Sequence, residues 1–199
     1  MSLSGAAART PLTHTDWVDA AIEIMVDSSV EHVRVESLAR DLKVSKGSFY
    51  WHFRNRDELL SEVLERWLNE ATIEITERIL RQGAYPSERL LNFLRLPMRS
   101  RRAIKAADLE LAILDWARRS RVAQDAVAAV DRLRLENYQA TFQALGFAEA
   151  EAHSRAHLAY AFTRYISQRR DLAVAARLQI AAETHRQLLE KPRPASAGY

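Results

Sequence analysis

From Leu59 to Ile79 apolar residues return every three or four positions: Leu59, Leu60, Val63, Leu64, Trp67, Leu68, Ala71, Ile75 and Ile79. A stripe with that period runs along one face of an α-helix and cannot alternate across a strand. No Gly or Pro interrupts it before Gly83 and Pro86, and Asn55 with Glu58 three residues on has the form of an N-terminal capping box. The spacing predicts one helix of about 27 residues, ~40 Å long. An element of that length commits its neighbours to helical layers. The rest of the chain agrees: five Gly and five Pro in 199 residues, long Ala/Glu/Leu/Arg-rich runs and no two-residue alternation. The predicted class is all-α. At 48% hydrophobic residues there is core enough for one domain or two small ones.

Taken in order, residues 1–12 are small, polar and unpatterned and read as a disordered arm. Thr13 or Thr15 caps a first helix whose stripe is Trp17, Ala20, Ala21, Ile24 and Met25, ending near Ser28 and Ser29. Val35, Leu38, Ala39 and Leu42 make a short second helix. Ser45 caps a third at 45–53, with Phe49 and Phe53 inward beside Val44. Beyond Gly83, helices are predicted at 87–96, 106–119, 121–145 (capped by Ser120, closed by Gly146), 148–169 and 171–190, about nine in all. The tail, 191–199, reads as disordered. These readings set two domains, 13–57 and 58–190.

Several function classes are excluded. Zero Cys rules out disulfides, thiolate metal sites and a cysteine nucleophile, and fits a reducing, cytoplasmic setting. There is no basic-then-apolar leader pattern, and no apolar run nears the ~18 residues of a spanning helix, so no membrane partner is expected. Glu149, His153 and His157 stand four apart on one helix face, a spacing that permits metal binding, but no second helix supplies a fourth ligand. No metal and no cofactor are expected. No nucleophile, base and oxyanion set or Gly-rich phosphate loop appears, so no enzyme is expected.

Net charge is only +3, but its distribution is informative. Residues 1–60 hold seven Lys/Arg against nine Asp/Glu, yet 43–56 hold Lys43, Lys46, Arg54 and Arg56 and no acid. The helix, turn, helix order over 35–52 is that of an element whose second helix enters a DNA major groove while the first props it. Its outward residues are Lys46, Gly47, Ser48, Trp51 and His52. Lys46 and Ser48 reach base edges or phosphates, Tyr50 and His52 donate to phosphate oxygens, and Gly47 permits close backbone approach. Trp51 is left for a DNA backbone or thymine-methyl contact, since Phe49 and Phe53 fill the inward face. Arg56 adds its charge to the free N–H groups at the start of the long helix, an anion site.

The stretch LARDLKVSKGSFYWHFRNRDELL resembles the signature of the tetracycline-repressor (TetR) family. Leu38-Ala39, Val44-Ser45, Tyr50, His52-Phe53 and Arg56 fill the family pattern, with strong similarity over 13–67. One position departs: the family usually has Gly in the turn, where this chain has Lys43. A left-handed non-Gly residue costs on the order of 1 kcal/mol. Either the turn adjusts, or the cost is accepted for another phosphate contact.

The resemblance implies a DNA-binding surface of Lys43, Ser45, Lys46, Gly47, Ser48, Tyr50, Trp51, His52 and Arg56. It implies a C-terminal ligand domain, with Trp67, Phe93, Met98, Trp116, Tyr138 and Phe142 as candidate pocket walls. It also implies a homodimer in which the last two helices pair with their twofold mates through His157, Leu158, Ala161, Tyr165, Leu178, Ala181, Ala182, His185 and Leu189. The implied function is a transcriptional repressor that leaves a palindromic operator when a small-molecule effector binds. The basic run Arg95, Arg99, Arg101, Arg102 and Lys105 either holds an anionic ligand or faces water. Two other functions stay open on the residues alone: a ligand-free architectural DNA binder, and a small helical enzyme or carrier.

Overall fold

The structure, a computed structural model, describes residues 12–82, 85–98 and 101–191. The expected arm, Leu12 excepted, and the expected tail, Lys191 excepted, lie outside the described residues. All described elements are helical, and the chain divides into two compact units between Glu65 and Arg66. That division falls inside the fourth helix, eight residues past the boundary read from the sequence.

Unit 1 contains α1 (His14–Asp27), a 3₁₀ turn (Val30–His32), α2 (Val35–Asp41), α3 (Lys46–Tyr50) and most of α4 (Arg56–Leu68). Thr13 and Asp16 form a reciprocal capping box at α1. Asp16 N donates to Thr13 Oγ1 at 3.3 Å, and the Asp16 carboxylate accepts from Thr13 N at 2.7 Å. α1 buries Trp17, Val18, Ala21, Ile22 and Met25. Its inward face is thus turned slightly from the predicted stripe, and Ala20 and Ile24 are only half-buried.

The α2–α3 turn has a definite hydrogen-bond pattern. Val44 N donates to Ala39 O at 2.9 Å and Lys43 N to Arg40 O at 3.1 Å, with Lys43 at φ 58°. This is a Schellman motif whose left-handed position carries lysine in place of the usual glycine. The turn has not adjusted; the left-handed strain is present. α3 is shorter than 45–53, because Trp51 and His52 already lie in the turn after Tyr50. Phe53 N still donates to Phe49 O at 3.0 Å, which keeps both rings on the inner side.

Unit 2 contains the end of α4, a π-helical segment (Asn69–Ile73), α5 (Glu74–Gln82), α6 (Pro86–Arg95), a 3₁₀ turn (Leu96–Met98), α7 (Arg101–Ala117), α8 (Arg121–Ala144), α9 (Glu149–Gln168) and α10 (Val174–Leu189). The helix predicted to run unbroken to Gly83 is helical up to Gln82, but its hydrogen-bond register slips at 69–73. Such a slip loosens backbone carbonyls. Arg134 meets the segment there, donating through Nη2 to Ala71 O and through Nε to Thr72 Oγ1, both at 3.3 Å. Counted as one run, α4, the π segment and α5 bring the described α-helices to nine.

α8 closes as predicted on Gly146, at φ 83°. Phe147 N donates to Phe142 O and Gly146 N to Gln143 O, a second Schellman motif. The core of unit 2 joins Ile79, Leu90, Leu94, Phe142, Ile166 and Ala181. Ala152, Ala156 and Ala159 on α9 allow close helix approach. No described helix is long and apolar enough to cross a membrane.

Candidate nucleic-acid interface

α3 is anchored by aromatic packing. Phe49 is fully buried and Phe53 nearly so. Their rings stack at 5.3 Å between centroids, Trp17 meets Phe49 edge-on at 5.4 Å, and His14 lies 4.4 Å from Phe53. Truncating a buried Phe typically costs 3–5 kcal/mol, so this contact holds the short helix against α1 where its own five residues could not.

With the inner side fixed, the outer side is determined. Trp51 is 88% exposed and Tyr50 61% exposed. Lys43, Ser45, Lys46 and Gly47 are exposed, and Ser48 and His52 half-buried. Ser45 takes the N-cap position but makes no side-chain capping bond. A Cβ built on Gly47 would meet only Ser45 Oγ at 3.6 Å, ordinary contact. The fold itself therefore does not require glycine there.

Two charges have partners the sequence did not suggest. Lys46 Nζ lies 2.7 Å from Glu36 Oε1, across the turn from α2. That hydrogen bond is the main reason the Glu36 carboxyl sits below the usual carboxylate range. Both side chains are more than half exposed, so solvent screens the pair and it yields readily to a phosphate.

Arg56, expected to bind an anion at the start of α4, has its fork turned inward. Nε donates to Val33 O at 2.6 Å and Nη2 to Val30 O at 2.5 Å. These carbonyls flank the 3₁₀ turn, and a planar guanidinium is shaped to bridge two of them. The α4 cap is otherwise close to the expectation. Asn55 Oδ1 accepts from Glu58 N at 2.9 Å, while Glu58 accepts from Arg54 N at 2.5 Å rather than from the N-cap residue itself. Glu36 was missed because a helix-to-helix ion pair ten residues apart has no sequence signature.

In unit 2 the expected pocket walls do not form one set. Phe93, Met98, Tyr138 and Phe142 share one buried cluster, with Phe93 and Tyr138 rings 5.3 Å apart. Trp67 and Trp116 are not members of it, and Trp116 is only half-buried. The Tyr138 hydroxyl shares a 2.7 Å hydrogen bond with Thr163, and burial pushes its pKa up to about 12.

Beside this cluster lies an ionic network that the sequence did not reveal. Arg134 donates to both Glu110 oxygens, at 2.9 and 2.8 Å. Arg164 pairs with Asp131 at 2.5 Å, and the Tyr160 hydroxyl donates to Asp131 at 2.7 Å.

The expected dimer residues divide by helix. His157, Leu158, Ala161 and Tyr165 form an exposed stripe on α9, with Leu158 63% and Tyr165 56% exposed. The α10 residues are less exposed. Ala181 is fully buried, and Leu178 and Leu189 pack on the core. His185 Nε2 lies 2.8 Å from Ser87 O on α6. These residues, with half-buried Ala182, are spaced to cover their own unit; Val174 and Ile180 point outward instead.

His153 and His157 rings lie 4.5 Å apart, but each Nδ1 has an oxygen neighbour, Gln139 Oε1 and His153 O. Among the described residues no group of three His, Cys, Asp or Glu is placed to hold a metal ion. Of the basic run, Arg99 and the side chains of Arg101 and Arg102 lie outside what the structure describes.

A short helix carrying cations and exposed aromatics, propped by a second helix through a tight turn, defines a helix-turn-helix module. Residues 18–63 match the family model for bacterial regulatory proteins, tetR family. Over this segment, about a quarter of its length, the chain resembles that family. Over 58 residues it is 36% identical to the HTH-type transcriptional regulator SrpR of Pseudomonas putida, covering 29% of this chain and 27% of SrpR. The matching segments span only 24% to 43% of the curated relatives' lengths.

The fold is shared more widely. A transcriptional regulator from Rhodococcus sp. Rha1 aligns with a TM-score of 0.75 at 17% identity, over 89% of this chain and 96% of that one. A regulator from Saccharomonospora viridis, solved in complex with choline, aligns with a TM-score of 0.73 at 18% identity, over 85% and 93%.

Proposed function

We propose that this chain is a transcriptional regulator that binds double-stranded DNA through α3 as a homodimer and leaves a palindromic operator when a small molecule binds unit 2. The observation that carries the reading is Trp51. A tryptophan exposed over most of its surface, beside exposed Tyr50 and Lys46, has no role in the fold and suits contact with a phosphate backbone or a thymine methyl. The α9 stripe supports a second copy as partner, since Leu158 and Tyr165 leave an apolar strip uncovered. Two copies related by a twofold axis match a palindromic site. Effector control needs unequal affinity of the small molecule for the DNA-competent and released states. A protein of the same fold has been solved in complex with choline, which supports a small-molecule ligand for this fold.

The test is fluorescence anisotropy with a labelled duplex over a salt series. Trp51→Ala should lose at least about tenfold in affinity with stability unchanged within about 0.5 kcal/mol. Lys46→Ala should lower affinity and reduce the salt slope by ~1 if it meets a phosphate, or change sequence preference if it meets a base. Wild-type affinity for both variants contradicts the reading.

A further inference from the structure

His153 and His157 are both exposed on α9, and their rings lie 4.5 Å apart. Residues four apart share a helix face, so the two rings stand side by side. Each ring is also held in one orientation. His157 Nδ1 lies 3.0 Å from His153 O, and His153 Nδ1 lies 3.3 Å from Oε1 of Gln139 on α8. A carbonyl oxygen only accepts, so in the neutral ring Nδ1 carries the proton and Nε2 keeps its lone pair. Among the described residues neither Nε2 has a hydrogen-bond partner. Nδ1–H fixed on an oxygen with Nε2 left open is the arrangement of imidazoles that ligate a metal. Two histidines four apart on a helix are a recurring zinc-ligand pair.

One copy supplies too few ligands. A structural zinc ion takes four, and among the described residues no third His, Asp or Glu joins the pair. A second copy supplies the rest. His153, His157, Ala161 and Tyr165 stand four apart along the exposed α9 stripe, and Leu158 beside them is 63% exposed. Ala161 has no bulk to hold a second helix away. Where this stripe meets its twofold mate, both copies bring the same two imidazoles to the axis.

We infer that His153 and His157 of two copies together bind one zinc ion, which locks the dimer through α9. Four imidazole nitrogens at about 2.0 Å make a closed tetrahedral site, structural in kind, with no open position for chemistry. An all-imidazole set suits zinc, copper or nickel and disfavours magnesium and calcium, and tetrahedral geometry selects zinc. The pairing of copies through α9 rests on the homodimer reading above; the orientation of the two rings does not.

The test uses the full chain, stripped of metal with EDTA and returned to chelator-free buffer. Calorimetric titration with zinc should give one ion per two chains. Zinc should also lower the chain concentration at which the dimer half-dissociates in sedimentation by at least about tenfold, since the ion binds the dimer alone. Cobalt in place of zinc should give the intense visible absorption of a four-coordinate ion. His153→Ala and His157→Ala should each abolish these effects. Both side chains are exposed and alanine favours a helix, so both variants should fold. His32→Ala, at an exposed histidine in unit 1, should keep the wild-type response. One zinc per chain, zinc binding that survives both α9 variants, or a dimer indifferent to zinc overturns the inference. Sedimentation in EDTA separates the two readings. A dimer that ignores zinc overturns the inference and keeps the regulatory reading. A monomer with and without zinc overturns the inference and the homodimer with it.

Discussion

At the scale of single residues, stability and recognition separate at three positions. Lys43 holds a left-handed backbone that glycine adopts freely. Lys43→Gly should raise the stability of unit 1 by about 1 kcal/mol in urea unfolding and weaken DNA binding. Tighter binding would show that the lysine meets no phosphate. Gly47 is the converse case. Its missing side chain answers no crowding within the chain, so Gly47→Ala should leave stability equal or improved by up to about 1 kcal/mol. The same change should weaken DNA binding, because the added methyl stands where backbone must approach. Arg56→Ala should cost about 2 kcal/mol of stability, since Val30 O and Val33 O lose a charged donor. Its salt slope for DNA binding should stay at the wild-type value.

These residues also mark what the sequence could tell. Turn position, inward phenylalanines and outward Trp51 follow from helical spacing and were legible. The partners of Arg56 and Lys46 were not, because both depend on how α2, the 3₁₀ turn and α4 meet in space. A charge pattern gives the sign of a surface; it does not give the carbonyl or carboxylate that a long side chain reaches.

At the scale of elements, the π segment in the long helical run is the main departure from the predicted pattern. Ala71, Ile75 and Ile79 keep a four-residue spacing through and beyond the segment, which reads as plain α-helix, so the register slip had no sequence signal. The structural correlate is Arg134, which meets Ala71 O, Thr72 and Glu110 together. Arg134→Met should cost several kcal/mol in unit 2, because Glu110 keeps its burial and loses that partner. Arg134→Met with Glu110→Leu should recover most of the loss.

The aromatic side of the same unit gives a pH prediction. Tyr138 has its folded pKa raised to about 12 from an unfolded value of 10.0, which favours the neutral phenol in the folded state. Its contribution is intact below the unfolded value and lost as pH rises from about 10 to about 12, on the order of 2 kcal/mol. Tyr138→Phe should flatten that alkaline slope in part, with Tyr160, also raised by burial, responsible for the rest. An unchanged slope would mean Tyr138 ionises without penalty. α10 teaches a related lesson. Its apolar spacing was clear, but one stripe can face its own unit or a partner, and spacing alone does not say which.

At the scale of the whole molecule, the proposal joins a DNA-reading unit to a unit that senses a ligand and dimerises. Leu158→Glu on the exposed α9 stripe should turn a dimer into monomers in sedimentation without unfolding the chain, and DNA affinity should fall with it. The central claim is that this chain reads a specific twofold DNA site through α3. Selection of the full-length protein against a pool of random duplexes tests it most directly. A palindrome bound by the wild type should be enriched, and the enrichment should be lost with Trp51→Ala. Failure to enrich any palindromic sequence would contradict it.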